Sequence, residues 1–213
     1  MSLAMPNIEP SVAAIVATRA RVARERSALV AVSGVDGAGK GFVTARIASE
    51  LEKRGSRVAT INADAWLNLP HVRFGGCDPA EHFYRHAVRF EHMFAQLVLP
   101  LRETRSIELE FDDATEPAKE YHRQRCAFRN IDVILLEGIY LLKPAFLANY
   151  DLKIWIETSF PKALERAIAR GQEGLPPDET RHAFETIFFP AQRLHFARDR
   201  PREIADLVID NDA

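Results

Sequence analysis

Gly34-Val35-Asp36-Gly37-Ala38-Gly39-Lys40-Gly41 stands between a short apolar run, Ala28-Leu29-Val30-Ala31-Val32, and a helical pattern that begins near Phe42. Strand, glycine-rich turn and helix in that order are the setting of the phosphate-binding loop G-x-x-x-x-G-K-[ST]. Every fixed position of that pattern is met except the last, where Gly41 takes the place of Ser or Thr. The match says what the loop can hold. The mismatch says which part of the chemistry needs another supplier.

A polyphosphate asks for closely spaced donors and positive charge with no side chains in the way. Gly34, Gly37 and Gly39 lack a Cβ, so this stretch can turn successive N–H groups inward. The helix beginning near Lys40 adds free N-terminal N–H groups and the positive end of its dipole. Lys40 contributes a mobile charge for the terminal phosphates. Gly34, Asp36, Gly37, Ala38, Gly39, Lys40, Gly41 and Phe42 are therefore the candidate nucleotide-binding residues. In loops of this kind the hydroxyl after the lysine is a direct Mg²⁺ ligand. Gly41 cannot supply it, and Thr44, one turn further on, is poorly placed to replace it. Mg²⁺ retains waters readily, so a water can fill the vacant ligand position and weaken metal binding without abolishing it.

The chain has 213 residues, 47% of them hydrophobic, enough for the core of one domain spanning 1–213. A net charge of -2 gives no electrostatic reason to expect nucleic acid or an anionic membrane as partner. No apolar run approaches the roughly 20 residues of a membrane span. Cys77 and Cys126 lie outside any metal-type spacing and read as buried or free thiols in a reducing cytoplasm. Met1-Ser2-Leu3, ahead of Ala4-Met5, reads as a remnant of cloning, with Met5 the natural start. Arg19, Arg21, Arg24 and Arg26 lie on a helical stretch that runs straight into the first strand. A surface helix within an N-terminal extension, 1–27, is thus preferred to a transit peptide.

A helix from about Ser11 to Arg26 precedes the first strand, and a second strand, Arg57 to Asn62, leads to Asp64. Asp78-Pro79 carries the signals of a helix start, followed by one long apolar stripe of Phe83, Ala87, Phe90, Phe94 and Leu97. His82 and His86 share a face of that helix with Glu81 and His92 nearby, but Phe83 stands where a zincin motif needs glutamate. A solvated or cleft-facing pair is the expectation there. Ser106 to Phe111 reads as a short strand, followed by a polar stretch from Asp112 to Pro117. Ile131 to Leu136, ending in Glu137-Gly138, is apolar enough for a strand buried on both faces, and Leu152 to Ile156 and Ala205 to Ile209 repeat the type. Strands alternating with helices predict an α/β fold with a parallel sheet, whose ligands sit at the strands' carboxyl ends. Gly34, Asp64 and Glu137 all fall there.

Four blocks together resemble the uridine kinase/phosphoribulokinase/pantothenate kinase group of P-loop kinases. They are Ser33 to Lys40, Asn62-Ala63-Asp64-Ala65-Trp66, Ile134 to Ile139 and Ala205 to Ile209, in the family's order over nearly the whole chain. The resemblance implies a three-layer P-loop NTPase-type fold with a five-stranded parallel sheet flanked by helices and a small lid. It implies ATP as donor, Mg²⁺ as cofactor, and a small-molecule hydroxyl as acceptor. By the same resemblance Asp64 is the catalytic base for that hydroxyl, and Glu137 orients the metal. Arg166 and Arg170, just before a lid segment at about 171–178, join Lys40 as catalytic residues that meet the transferring phosphate. The chain departs from uridine kinases where Ala65-Trp66 follows Asp64. Asp113 could match the aspartate of their substrate loop, but Lys119, His122 and Arg123 do not align with the residues expected after it.

Three functions remain open on this reading. The first is an ATP-dependent kinase for a nucleoside, sugar or pantothenate-like compound, working in the cytoplasm alone or as a homo-oligomer. The second is a nucleotide-binding regulator whose chemistry is impaired by Gly41. The third is a nucleoside-monophosphate kinase, for which Arg73, Arg85 and Arg89 would have to form the basic cluster that holds an acceptor phosphate.

Overall fold

The computed structural model describes residues 5–172 and 174–212, so the reading of Met1 to Ala4 and Glu173 of the lid segment lie outside the described residues. Seven strands occur in chain order: β1 (Ala28–Gly34), β2 (Val58–Asn62), β3 (Ile107–Asp113), β4 (His122–Phe128), β5 (Val133–Gly138), β6 (Leu152–Glu157) and β7 (Leu207–Asp210). Five form a parallel sheet in the order β2-β5-β1-β6-β7, and β3 and β4 pair as a separate antiparallel hairpin. The helices are α1 (Glu9–Arg21), α2 (Lys40–Lys53), α3 (Pro70–Arg73), α4 (Pro79–His86), α5 (Phe90–Met93), α6 (Leu99–Thr104), α7 (Phe160–Arg170), α8 (Pro177–Ala183), α9 (Phe189–Asp199) and α10 (Pro201–Ile204). None of the described helices is long and apolar enough to cross a membrane.

Every residue of β1 and β5 is buried, as their near-continuous aliphatic runs require of strands covered on both sides. β1 lies between β5 and β6, so the chain leaves it toward β2 on one side and later returns on the other. The carboxyl end of β1 is thus the switch point where a parallel sheet opens a crevice. Helix α2 packs on β1, β2 and β5, with Val43, Ile47 and Leu51 buried at helical spacing.

Three expectations change. The stripe from Phe83 to Leu97 is buried throughout, but it does not lie on one helix. The chain breaks between α4 and α5, where Asn68 N–H donates to Ala87 O at 2.9 Å and Arg89 N–H donates to Trp66 O at 2.8 Å. A short antiparallel bridge, Leu67 to Val88, thereby replaces the helical bonds that the periodicity promised. The predicted strand at Ser106 to Phe111 runs on through Asp112 and Asp113, and strand β4 was not foreseen in the polar run His122-Arg123-Gln124-Arg125. Cross-strand pairs hold it: Arg125 with Glu108, and Arg123 with Glu110 and Asp112. Helix α1 stops at Arg21, short of Arg26, because Ser27 N–H donates to Arg102 O at 2.8 Å and Arg26 pairs bidentately with Asp151 at 2.8 Å.

Two helical rods contain a π-helical turn, Phe94–Val98 between α5 and α6 and Phe184–Phe188 between α8 and α9. Pro100 and Pro190 follow these turns. A proline inside a helix has no N–H and its ring presses on the preceding turn, so a widened turn just upstream relieves both faults. Behind the sheet's carboxyl edge, Tyr84 OH and His195 Nδ1 both bond Asp199 Oδ2 at 2.6 Å, fastening α4 to α9.

Gly138 closes β5 against the turn that carries Asp64. A Cβ there would come within 2.6 Å of the Ala63 Cβ. Gly138→Ala should lower unfolding stability by about 1–3 kcal/mol through overpacking, read as a lower urea midpoint at unchanged slope.

Candidate active site

The loop after β1 is shaped by what presses on it. Gly37 and Gly39 have φ of 77° and 79°, in the left-handed region that other residues avoid. A Cβ on Gly37 would fall 2.3 Å from the Ala163 carbonyl oxygen, and one on Gly39 2.7 Å from Asn211 Nδ2. Both positions therefore need glycine for conformation and for space. The loop is held from behind by two residues that sequence reasoning missed. Asn211 Nδ2 donates to Ala38 O at 2.8 Å, and the Thr158 hydroxyl lies 3.3 Å from the same oxygen. Asn211 follows β7 and Thr158 follows β6, and no motif marks either one. Ser33, last but one in β1, donates to Gly138 O at 3.1 Å and ties the loop's root to β5.

Gly39 caps α2 without any side-chain acceptor at the helix's first N–H groups. Those donors and the dipole's positive end serve the loop's hollow. Lys40 folds back over the loop, its ammonium donating to Val35 O at 3.0 Å. Asp36 lies 3.6 Å from Arg170, which places the end of α7 across the loop. Arg166 donates to Asn211 O at 2.7 Å beside Gly39, so it reaches the loop's outer edge and braces the tail that supports it. Phe42, half-exposed, has the Arg46 guanidinium 5.8 Å from its ring centre and forms the outer rim.

Asp64 stands in the short helical turn after β2, where the Asn62 side chain accepts its N–H at 2.7 Å and fixes the backbone. Burial pushes the Asp64 carboxyl above the ordinary aspartate range, with Asp36 adding to the effect, while Lys40, Arg170 and a hydrogen bond from Gln172 oppose it. Glu137, at the end of β5 and 9% exposed, is raised in the same way by burial, helped by Asp64 and opposed by Lys40 and Arg170. The two carboxyls thus share one electrostatic environment with Lys40 and Arg170 at the crevice. A buried carboxyl with raised proton affinity beside cations is a credible proton acceptor.

The residues present fit a divalent cation on two observations. A Cβ added to Gly41 would sit 3.5 Å from Glu137 Oε1, so the hydroxyl position of the motif lies against that carboxylate. Thr44 Oγ1, one turn along α2, is buried without a hydrogen-bond partner. Glu137, with the loop's phosphate oxygens, would hold Mg²⁺ there.

The segment expected as a lid begins at Gly171, the left-handed cap of α7, and leads into α8. A Cβ on Gly174 would lie 3.4 Å from Pro117 Cβ, so this segment touches the loop between β3 and β4. That loop is anchored by a salt bridge of 2.6 Å from the buried Arg73 to Glu116.

Other candidates are engaged elsewhere. Arg73 is committed to Glu116, and Arg85 to Glu81 on the surface. Arg89 stacks over Trp66 and Tyr121 and donates to Leu67 O and Asp112 O. Each of the three is thus paired within the protein. His82 Nε2 bonds Val72 O at 2.6 Å, and its ring packs at 4.6 Å on His86. Among the described residues no group of three or more His, Cys, Asp and Glu side chains is placed to hold a metal ion. Asp113 caps a turn through Thr115 N–H at 2.8 Å.

Solved structures of kinases share this architecture. A possible uridine kinase from Bacillus stearothermophilus superposes with a TM-score of 0.70 at 15% identity, over 94% of this chain and 98% of its own. The fold is that of the P-loop kinases. A protein provisionally named a fructose transport system kinase, from a Silicibacter species, matches at TM-score 0.69 and 20% identity over 92% and 97% of the two chains. D-glycerate 3-kinase from Cryptococcus neoformans matches at 0.63 and 16%, over 91% and 88%. No protein-family model matches the chain. At these identities the likeness is one of fold, and what the site does rests on its own residues.

The raised proton affinity of Asp64 has a consequence for stability. A carboxyl whose folded pKa is raised stabilises the fold in acid, and that contribution is lost as pH climbs through the folded value. Asp64→Asn removes the poorly hydrated charge. The ligand-free variant should melt above the parent at about pH 8, with the gap closing toward about pH 4, as differential scanning calorimetry would show.

Proposed function

We propose that this chain is an ATP-dependent kinase that phosphorylates a hydroxyl of a small metabolite. The observation that carries the reading is the placement of Asp64, a half-buried carboxyl of raised proton affinity, within the electrostatic reach of Lys40 of the phosphate loop. A loop alone would argue only for nucleotide binding. A proton acceptor facing it supplies what a transfer to an alcohol requires.

In the proposed reaction the loop amides and Lys40 hold the β- and γ-phosphates of ATP. The Asp64 carboxylate orients the acceptor hydroxyl and takes its proton as the oxygen bonds to the γ-phosphorus and the bond to the β-phosphate oxygen breaks. Lys40 and Arg170 offset the charge that builds on the phosphoryl oxygens, and Arg166 keeps the loop in place from its outer edge. Mg²⁺ bound beside Glu137 would neutralise phosphate charge and align the terminal phosphates. Uridine, fructose and glycerate appear in the names of kinases of the same fold, which makes nucleosides, sugars and hydroxy acids the first acceptors to try.

A second reading, a nucleotide-binding protein with impaired turnover, is motivated by Gly41. A third reading, a nucleoside-monophosphate kinase, would need Arg73, Arg85 and Arg89 to turn from their present partners to an acceptor phosphate.

A panel of hydroxylated metabolites assayed for ADP release with ATP and Mg²⁺ should reveal at least one that stimulates turnover. With that acceptor, Asp64→Asn should lower kcat by about 10²–10⁴ while nucleotide affinity stays within a few-fold. Nucleotide binding without stimulation by any acceptor would favour the second reading.

A further inference from the structure

Along α2 runs a groove of about 340 Å³, lined at its upper end by Gly41, Thr44, Asn62 and Glu137. Three of these bring polar groups: a hydroxyl, a carboxamide and a carboxylate. The fourth, Gly41, brings an absence of side chain where the motif has a hydroxyl, and its missing Cβ would lie 3.5 Å from Glu137 Oε1. Thr44 is 2% exposed, lines this groove, and has no hydrogen-bond partner for its Oγ1. A threonine inside a helix commonly bonds the carbonyl one turn back. Here no such bond is made, and a buried hydroxyl without a partner is unfavourable. A buried polar atom left in that state is a sign of a partner that arrives with water or ligand.

We infer that Thr44 compensates for Gly41 by holding, together with Glu137, a water that takes the place of the missing loop hydroxyl at the metal position. The space fits: a water needs about 30 Å³ and between two and four polar partners, and the groove offers both. Thr44 lies three positions after Gly41, on the same face of the helix, so its hydroxyl is offered to the gap from below. On this view Thr44 is a positioning residue, acting through the water and touching neither nucleotide nor acceptor. This departs from the expectation that Thr44 is too far along the helix to matter, because the groove spans the extra turn. The inference rests on the phosphate-loop reading of residues 34–41.

The test is a double-mutant cycle read as Mn²⁺ affinity, by electron paramagnetic resonance, in the presence of saturating ADP. Thr44→Val, nearly the same shape, should weaken Mn²⁺ binding about 5- to 10-fold, the effect of one lost hydrogen bond. Thr44→Ser should keep parental affinity. In a Gly41→Ser background, where the side chain itself supplies the ligand, Thr44→Val should change Mn²⁺ affinity by less than about 2-fold. Equal weakening in both backgrounds, or none in either, overturns the inference while leaving the kinase reading intact. Failure of the parent to bind ADP in metal-free buffer, checked first by calorimetry, overturns the loop reading and this inference with it.

Discussion

The contact between Gly37 and the carbonyl of Ala163 sets the geometry on which the rest of the site is built. No residue with a Cβ can stand at that spot, and the left-handed turn it permits points the loop's amides into the crevice. The start of α7 closes one side of the loop, while Asn211 and Thr158 brace Ala38 from behind. The loop is thus clamped between the first turns of two helices and the ends of two strands. Its amides are oriented in advance, so a ligand need not supply the ordering free energy that a flexible glycine-rich segment would demand.

Within that frame the crevice is a balance of charges. Asp36, Asp64 and Glu137 supply three carboxyls, and Lys40 and Arg170 act on two of them from opposite sides. Burial and nearby negative charge raise the hold of Asp64 and Glu137 on their protons, and the cations lower it. A polyphosphate with its metal would change this balance more than any side chain, since it brings several charges of both signs at once. Holding Asp64 and Glu137 in such surroundings is unfavourable for the fold itself. Active sites commonly trade stability for function in this way.

Much of this was legible in the sequence, and the limits have physical causes. Gly34 to Lys40, with an aliphatic strand before and an amphipathic helix after, reads as a phosphate loop because local backbone demands and composition point the same way. Aliphatic runs such as Val133 to Leu136 announce buried parallel strands for the same reason. The break at Ala87 to Arg89 could not be seen, since its hydrogen bonds go to Trp66 and Asn68, about twenty residues away in sequence. Strand β4 is hidden because its stability comes from arginines paired with acids across the hairpin and not from an alternating apolar pattern. Asn211 and Thr158 were missed because they act through backbone contacts to Ala38, which leave no signature of their own. Asp64 and Glu137 lie where the sequence puts them, just past β2 and at the end of β5. Arg166, read as a lid arginine, donates one bond to the tail carbonyl of Asn211.

The β3–β4 hairpin stands apart from the main sheet, and an isolated two-stranded ribbon is marginal in water. What keeps it is the strip beside Asp64. Phe111 stacks on Trp66 at 5.0 Å, Ala114 N–H donates to Ala65 O at 3.1 Å, and Arg89 bonds both Leu67 O and Asp112 O. The same residues that follow Asp64 therefore serve as the hairpin's foundation. Loosening at either place is felt at the other, so the hairpin and the turn that carries Asp64 stand or fall together.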